Sequence, residues 1–502
     1  MAGKGKFAAL FGAVDMTQGN PMSNLVKFSV PLLIGNLAQQ LYSTVDTLIV
    51  GRYAADGDAS LAAIGASFPV INLLLVLFMG VSMGASVMAS QYFGARDRDQ
   101  LSATVGTTIT ATFVTTVVVM VISPFFCPWM MSLLNTPARI YDKAVEYMVI
   151  LLVGFLGSAY YNVISGVLRG LGDSVMPVVF LLVATGINIV LDIVFVKYMA
   201  MDVAGAAYAT IISQFISGAL CLVRLLRMTD QFKVTLRTLI PRKKLVFQLI
   251  HLGLPSGITQ AIFSLAMLIV QSITNDYGNN NVLGTAIITA NTVVMRVDGF
   301  AMMPTFTFGT AMTTFAGQNI GAGQLDRTVK GTKSGLILGL SVSVVLVGLI
   351  LLFGPNLLMM FTKTPEVIAI GQTMLTTLAV GYIAMAVTQI LSGVMRGAGD
   401  TMTPMWISLI TTVAIRLPVV YILEFVTRPQ GGLRGSGDPM PLYLSMLISW
   451  VLGAVMTAIA YKLGRWKKKS IVAATTPAAP VPEGDLELTP DDPNATDTRD
   501  VE

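Results

Sequence analysis

This chain is short of charge. Only 12% of its 502 residues are Asp, Glu, Lys or Arg, about half of the roughly 25% usual in soluble domains. That shortfall, with 54% hydrophobic residues and a mean hydropathy of +0.73, excludes an ordinary soluble protein and indicates an all-α polytopic membrane protein. Histidine is nearly absent: His251 is the single one, so a His/Cys metal centre is not expected. The two cysteines, Cys127 and Cys221, lie in or beside apolar runs without metal-ligand spacing and read as packing residues. No GxxxxGK[ST] stretch, no HExxH and no nucleophile-base set is present, so ATP hydrolysis and enzymatic chemistry are not expected. Nothing suggests a nucleic-acid partner; the lipid bilayer is the expected surrounding. The opening MAGKGKFAALFGAVDM has too short an apolar run to read as a signal peptide.

The net charge of +5 conceals a division. From Ile471 onward the chain holds eight acids against Arg499, leaving 31 basic and 19 acidic residues in the body. Residues 470–502 are therefore expected to be a disordered acidic tail, and residues 1–20 a short N-terminal segment.

What is present is a repeat. Ile164–Pro177 reads ISGVLRGLGDSVMP and Leu391–Pro404 reads LSGVMRGAGDTMTP, identical at eight of fourteen positions and 227 residues apart. QYFGARDRD from Gln91 and QNIGAGQLD from Gln318 keep the same offset. Apolar stretches long enough to cross a bilayer fall near 25–50, 61–90, 101–125, 141–168, 175–198 and 204–226, then near 246–274, 284–316, 331–354, 366–394, 402–427 and 441–464. Twelve transmembrane helices follow, in an N-lobe over 21–232 and a C-lobe over 233–469. Six spans separate the two RGxGD motifs, so both lie on one side and the halves are parallel repeats. Basic residues concentrate in the loops and ends of that side, which makes both termini cytoplasmic; the loop with Arg428 and Arg434 is an exception.

Charges inside spans are costly and therefore informative. Asp46 lies deep in the first span, below Asn36, Gln39, Gln40 and Ser43, which share a helix face at spacings of three and four. Such a stripe must face protein or a wet cavity. Asn188 and Asp192 lie one turn apart in the fifth span. A carboxylate with an amide oxygen suits Na⁺ or a proton; the alternative is a helix-packing hydrogen bond. Thr210 in the sixth span could add a hydroxyl. In the second half, Ser256, Gln260, Ser264 and Gln271 form a matching stripe, so both lobes are expected to line one cavity. Arg416 reads either as lobe architecture or as a substrate or gating contact, while Arg296 and Asp298 are expected largely to neutralise each other. Pro31 and Pro255, early in paired spans, read as hinges or static kinks, Gly80, Gly84, Gly335 and Gly339 as helix-packing sites, and the RGxGD motifs as structural or gating elements. The acids are not duplicated: the repeat offsets place Asp46 opposite Val270 and Asp192 opposite Val419.

With VDTLIVGR, QYFGAR, GQNIGAG and the paired RGxGD motifs, residues 20–465 resemble the multidrug and toxic compound extrusion (MATE) transporters, in particular the DinF-like bacterial branch. The resemblance implies a monomeric inner-membrane antiporter that exports cationic, amphipathic drugs in exchange for H⁺ or Na⁺, with no other cofactor. It implies a cation-coupling site at Asp46, Asn188 and Asp192, with Thr210 as a further ligand, and bending at Pro31. The acids that the NorM-like branch carries on its seventh and tenth helices are missing here, which shifts coupling to the N-lobe. A lipid-linked saccharide flippase of related architecture is the alternative.

Overall fold

The computed structural model describes residues 13–472 apart from 55, 135 and 282; the side chains of 41–44 and 280 also lie outside the described ones. The first half comprises α1 (Pro21–Tyr53), α2 (Gly57–Gly94), α3 (Arg98–Leu133), α4 (Ala138–Val153), α5 (Leu156–Gly170), α6 (Val175–Asp192) and α7 (Asp202–Leu226). The second comprises α8 (Lys243–Asn280), α9 (Gly284–Gly321), α10 (Leu325–Met359), α11 (Pro365–Gly397), α12 (Met402–Leu409), α13 (Arg416–Thr427) and α14 (Met440–Leu463). No strand occurs among the described residues, as expected where lipid cannot satisfy a backbone.

Capping residues start several of these helices. Asn20, Asp56 and Asp97 accept hydrogen bonds from the amides of Met22, Ala59 and Gln100 at 2.9, 3.2 and 3.0 Å, satisfying donors that the first turn leaves free. Large apolar side chains such as Phe125, Trp129 and Leu352 point outward, a surface that fits lipid rather than water.

Ten helices or helix runs among the described residues are long and apolar enough to cross a membrane. The expected fourth span, 141–168, is made of α4 and α5 together, bent by 52° at their junction. There Gly154 and Gly157 lie tight against Ile211 and Phe215 of α7. The first span, α1, is long enough at 33 residues, but Asn36, Gln39, Gln40 and Asp46 make it too polar to rank with the ten.

The first lobe has apolar cores around Ile49, Cys127, Tyr147 and Val196 and around Phe78, Val163 and Leu225. The second packs around Tyr277, Val294, Leu378 and Tyr382. Cys127 and Cys221 are buried and free, in keeping with packing roles. A further cluster, holding Met16, Phe28, Phe308, Phe315 and Trp466, joins the lobes at the end where the chain enters and leaves.

That terminal end is closed by pieces of the repeat exchanged between lobes. Gln91 on α2 donates through Nε2 to the Gly397 carbonyl at 2.8 Å, while Gln318 on α9 donates to the Gly170 carbonyl at 2.9 Å. Gly170 and Gly397 are the equivalent glycines that follow the arginines of the two RGxGD motifs. Each glutamine then accepts from a strap at one end of the chain. Met16 N reaches Gln318 Oε1 and Ile471 N reaches Gln91 Oε1, both at 2.9 Å. Two residues back along each strap, Val14 and Lys469 lie so close to Gly172 (φ +90°) and Gly399 (φ +94°) that a side chain there would collide with their carbonyls. Arg327 adds hydrogen bonds to the carbonyls of Met16, Gln18 and Gly19. The C-terminal strap runs through Val472; residues 473–502, most of the expected tail, lie outside the described residues, as do residues 1–12.

The same end brings α2 against α8 through Gly80, Gly84, Gly253 and Gly257. A Cβ on Gly84 would lie 2.6 Å from the Leu249 carbonyl, and one on Gly80 2.9 Å from that of Gly253. Gly335 and Gly339 likewise admit Met312 and Ile390. Small residues let backbones approach this closely.

Candidate functional site

Asp46, Asn188 and Asp192 come together between α1 and α6. The carboxyls of Asp46 and Asp192 lie within interaction range of one another. Asn188 and Asp192 are 0% exposed, and Asp46 is half-buried. Among the described residues, Asp46 Oδ1, both Asp192 oxygens and both Asn188 amide atoms are buried without a hydrogen-bond partner. Unpaired buried polar atoms are expensive, and two carboxylates in one buried pocket repel. A proton or a hard cation relieves both penalties, and these oxygens fit either. The alternative helix-packing hydrogen bond from Asn188 is not made.

Thr210 sits half-buried on α7, which packs against α6; its carbonyl accepts from Ser213 Oγ at 2.9 Å. Directly after Asp192 the helix continues as a π segment, Ile193–Tyr198, and a second π segment, Ile410–Ile415, ends at Arg416. Such widened turns recur at functional sites. The spacing of three and four residues gave no sign of them.

A second feature is a cavity of about 920 Å³ between the lobes. Asn36, Gln39 and Gln40 of α1 line one wall, and Gln260, Gln271, Arg296, Asp298, Arg416 and Trp450, with several Met and Phe side chains, line the others. These residues lie mid-helix and toward the end away from the termini. Asn36 donates to Thr307 Oγ1 at 3.0 Å, bridging the lobes. Of the first lobe, α1 alone contributes to this lining.

Several expectations need correction. Ser264 does not line the cavity; it accepts from Asn72 Nδ2 across the lobe boundary at 3.4 Å. Ser256 instead donates to its own helix, at the Leu252 carbonyl. The Ser43 side chain lies outside the described residues. Arg296 and Asp298 do not pair among the described residues, because positions two apart on a helix face different ways. Asp298 lies instead beside Tyr382 and within electrostatic reach of Arg416, a link between α9, α11 and α13 that local sequence cannot reveal. In the RGxGD motif, Asp173 pairs with Arg224 at 3.0 Å and accepts from Met176 N, while Arg169 reaches Ser165 and Ser82. Pro31 and Pro255 sit inside unbroken helices. The exceptional basic loop is balanced locally: Arg428 pairs with Glu424 at 2.6 Å and Arg434 with Asp276 at 3.0 Å.

A two-lobed helical membrane protein with an interlobe cavity and a polar pocket buried beside it is built as a transporter, not an enzyme. The MatE family model matches residues 31–194 and again 255–422, one copy in each lobe, and the chain belongs to that family. It is 32% identical over 451 residues to the "Probable multidrug resistance protein YoeA" of Bacillus subtilis, covering 88% of this chain and 94% of that one. To the "Probable multidrug resistance protein NorM" of Thermotoga maritima it is 26% identical, covering 89% and 94%. A solved structure described as the outward-facing conformation of a multidrug resistance MATE family transporter superposes with a TM-score of 0.81 at 24% identity, over 91% of this chain and 99% of that one. At that identity the likeness speaks for the fold.

Proposed function

We propose that this protein is a secondary active antiporter of the inner cell membrane that exports amphipathic drugs, organic cations among them, in exchange for H⁺ or Na⁺. It works as a monomer with both termini in the cytoplasm, and the coupling ion is its only cofactor. The names of the relatives support drug export. The observation that carries the coupling is on α1: one helix brings Asn36, Gln39 and Gln40 to the cavity and Asp46 to the buried pocket with Asn188 and Asp192. Loading that pocket changes the charge beside α1, so the helix can report ion binding to the cavity wall, with Pro31 as the bend and Pro255 as its counterpart. The closed terminal end and the cavity beyond it correspond to the state that releases drug outward.

Reconstituted into proteoliposomes, the protein is expected to export substrate when an inward H⁺ or Na⁺ gradient is imposed, and Asp46→Asn is expected to abolish gradient-driven efflux while leaving insertion and substrate binding intact. Efflux by Asp46→Asn at the full rate would end the coupling role. Export that ignores both gradients would favour a flippase.

A further inference from the structure

The cavity and the buried pocket have opposite electrical characters. Asp46 and Asp192 do not line the cavity; its charged residues are Arg296, Arg416 and Asp298, which leaves one guanidinium in excess. Arg416 is the buried member, only 6% exposed. Its Nε is buried without a partner, and it forms no ion pair among the described residues. Asp298 is near enough to influence it but does not bridge to it, and Asp298 Oδ1 is itself buried and unpartnered. A desolvated guanidinium with a free donor is costly to maintain unless something completes it. Its planar donor set matches a carboxylate or a phosphoryl group. In the same cavity, Met302, Met385, Met446 and Trp450 supply an adaptable apolar wall.

We propose that Arg416 is the anchor for an anionic group on the transported amphiphile, so that the cavity accepts amphipathic carboxylates and zwitterions in preference to simple organic cations. Asp298 holds the positive group when the ligand has one. This rests on reading the cavity as the drug path, but not on the ion coupling. It narrows the substrate class in a direction that the buried acids of the first lobe do not suggest.

The test uses the full-length protein in lipid nanodiscs and three probes sharing one naphthyl body: a carboxylate, a primary amine and the amino acid that combines them. Affinity is measured by calorimetry, which needs no ion gradient. Wild type is expected to bind the carboxylate and the amino acid at least tenfold more tightly than the amine. Arg416→Gln is expected to lose at least tenfold for those two and little for the amine. Asp298→Asn should weaken the amino acid and leave the carboxylate unchanged or tighter. Arg416→Lys, which keeps the charge and loses the fork, is the second variant should Arg416→Gln not fold, and is expected to give a partial loss confined to the anionic probes. Preference of wild type for the amine, or an equal loss for all three probes in folded Arg416→Gln or Arg416→Lys, would overturn the proposal. Asp46→Asn is measured alongside: retention of its probe preference with loss of efflux separates the anion anchor from the coupling site. If Asp46→Asn still exports while Arg416→Gln loses the anionic probes, the coupling reading fails and the anchor stands.

Discussion

Replacing Gln318 by Ala tests whether the exchanged glutamines hold the terminal end shut. Gln318 is 0% exposed and makes two buried contacts there, from its amide to the Gly170 carbonyl and from Met16 N to its side-chain oxygen, both at 2.9 Å. With only a methyl group at that position, the Gly170 carbonyl and the Met16 amide lose these partners as long as the lobes stay closed, each at a cost of about 1–3 kcal/mol. When the end opens, water supplies both partners, so the penalty falls on the closed state alone. Taking about 1–2 kcal/mol for each, the lower part of that range, and a factor of ten per about 1.4 kcal/mol, the closed state should lose roughly 30- to 700-fold in population relative to the open one. Gln91→Ala should act similarly, since Gln91 bonds the Gly397 carbonyl, Ile471 N and Ser470 Oγ. Hydrogen–deuterium exchange of the protein in nanodiscs reads this directly. The amides of Met16 and Ile471 report on the two straps, and both straps should exchange faster in either variant, because each biases one shared opening. Unchanged protection at both amides in both variants would refute the reasoning. Faster exchange only at the amide bonded to the replaced glutamine would mean the straps fray locally without the lobes parting.

The loss of efflux expected for Asp46→Asn and the probe-selective loss expected for Arg416→Gln are two further tests, each with its measurement above. Gly84→Val should also unseat the terminal end, since even its first side-chain carbon would lie 2.6 Å from the Leu249 carbonyl of α8; a cross-link between cysteines placed on α2 and α8 should form more slowly, and an unchanged rate would count against the close packing. At the opposite end, the Arg139 guanidinium beside Asp56, 2.8 Å away, holds the Asp56 carboxyl below the usual carboxylate range. The pair's contribution is therefore complete above about pH 4 and lost as pH falls through the lower folded value. Asp56→Asn should lower the thermal midpoint slightly at pH 7 and match wild type near pH 2. A gap between the two that widens toward low pH would contradict this.

The span positions were legible because a helix in lipid must be apolar along its length, and every expected run proved helical. What the pattern did not show is the bend in the span at 141–168, where Gly154 and Gly157 meet α7, and no local signal marks a partner 55 or more residues away. The pairing of α1 with α6 was foreseen only through a family resemblance. Composition showed that Asp46 and Asp192 were costly in lipid but not that they face each other. For Arg296 and Asp298, nearness in sequence misled, since a separation of two turns side chains apart on a helix.

By itself, the sequence determined a helical membrane protein, its duplicated scaffold, and the lack of second-half counterparts to Asp46 and Asp192. Each of these follows from counting: too few charges for water, an offset of 227 that recurs, and acids that the offset does not reproduce. Only the tertiary structure decided which groups share a space. It put Arg416 and Asp298 in the cavity and Asp46 and Asp192 outside it, and it made the two Gln residues of the repeat hold each other's lobe. Contacts between helices depend on rotation about axes and on distances across lobes, and neither is written in any local stretch of chain.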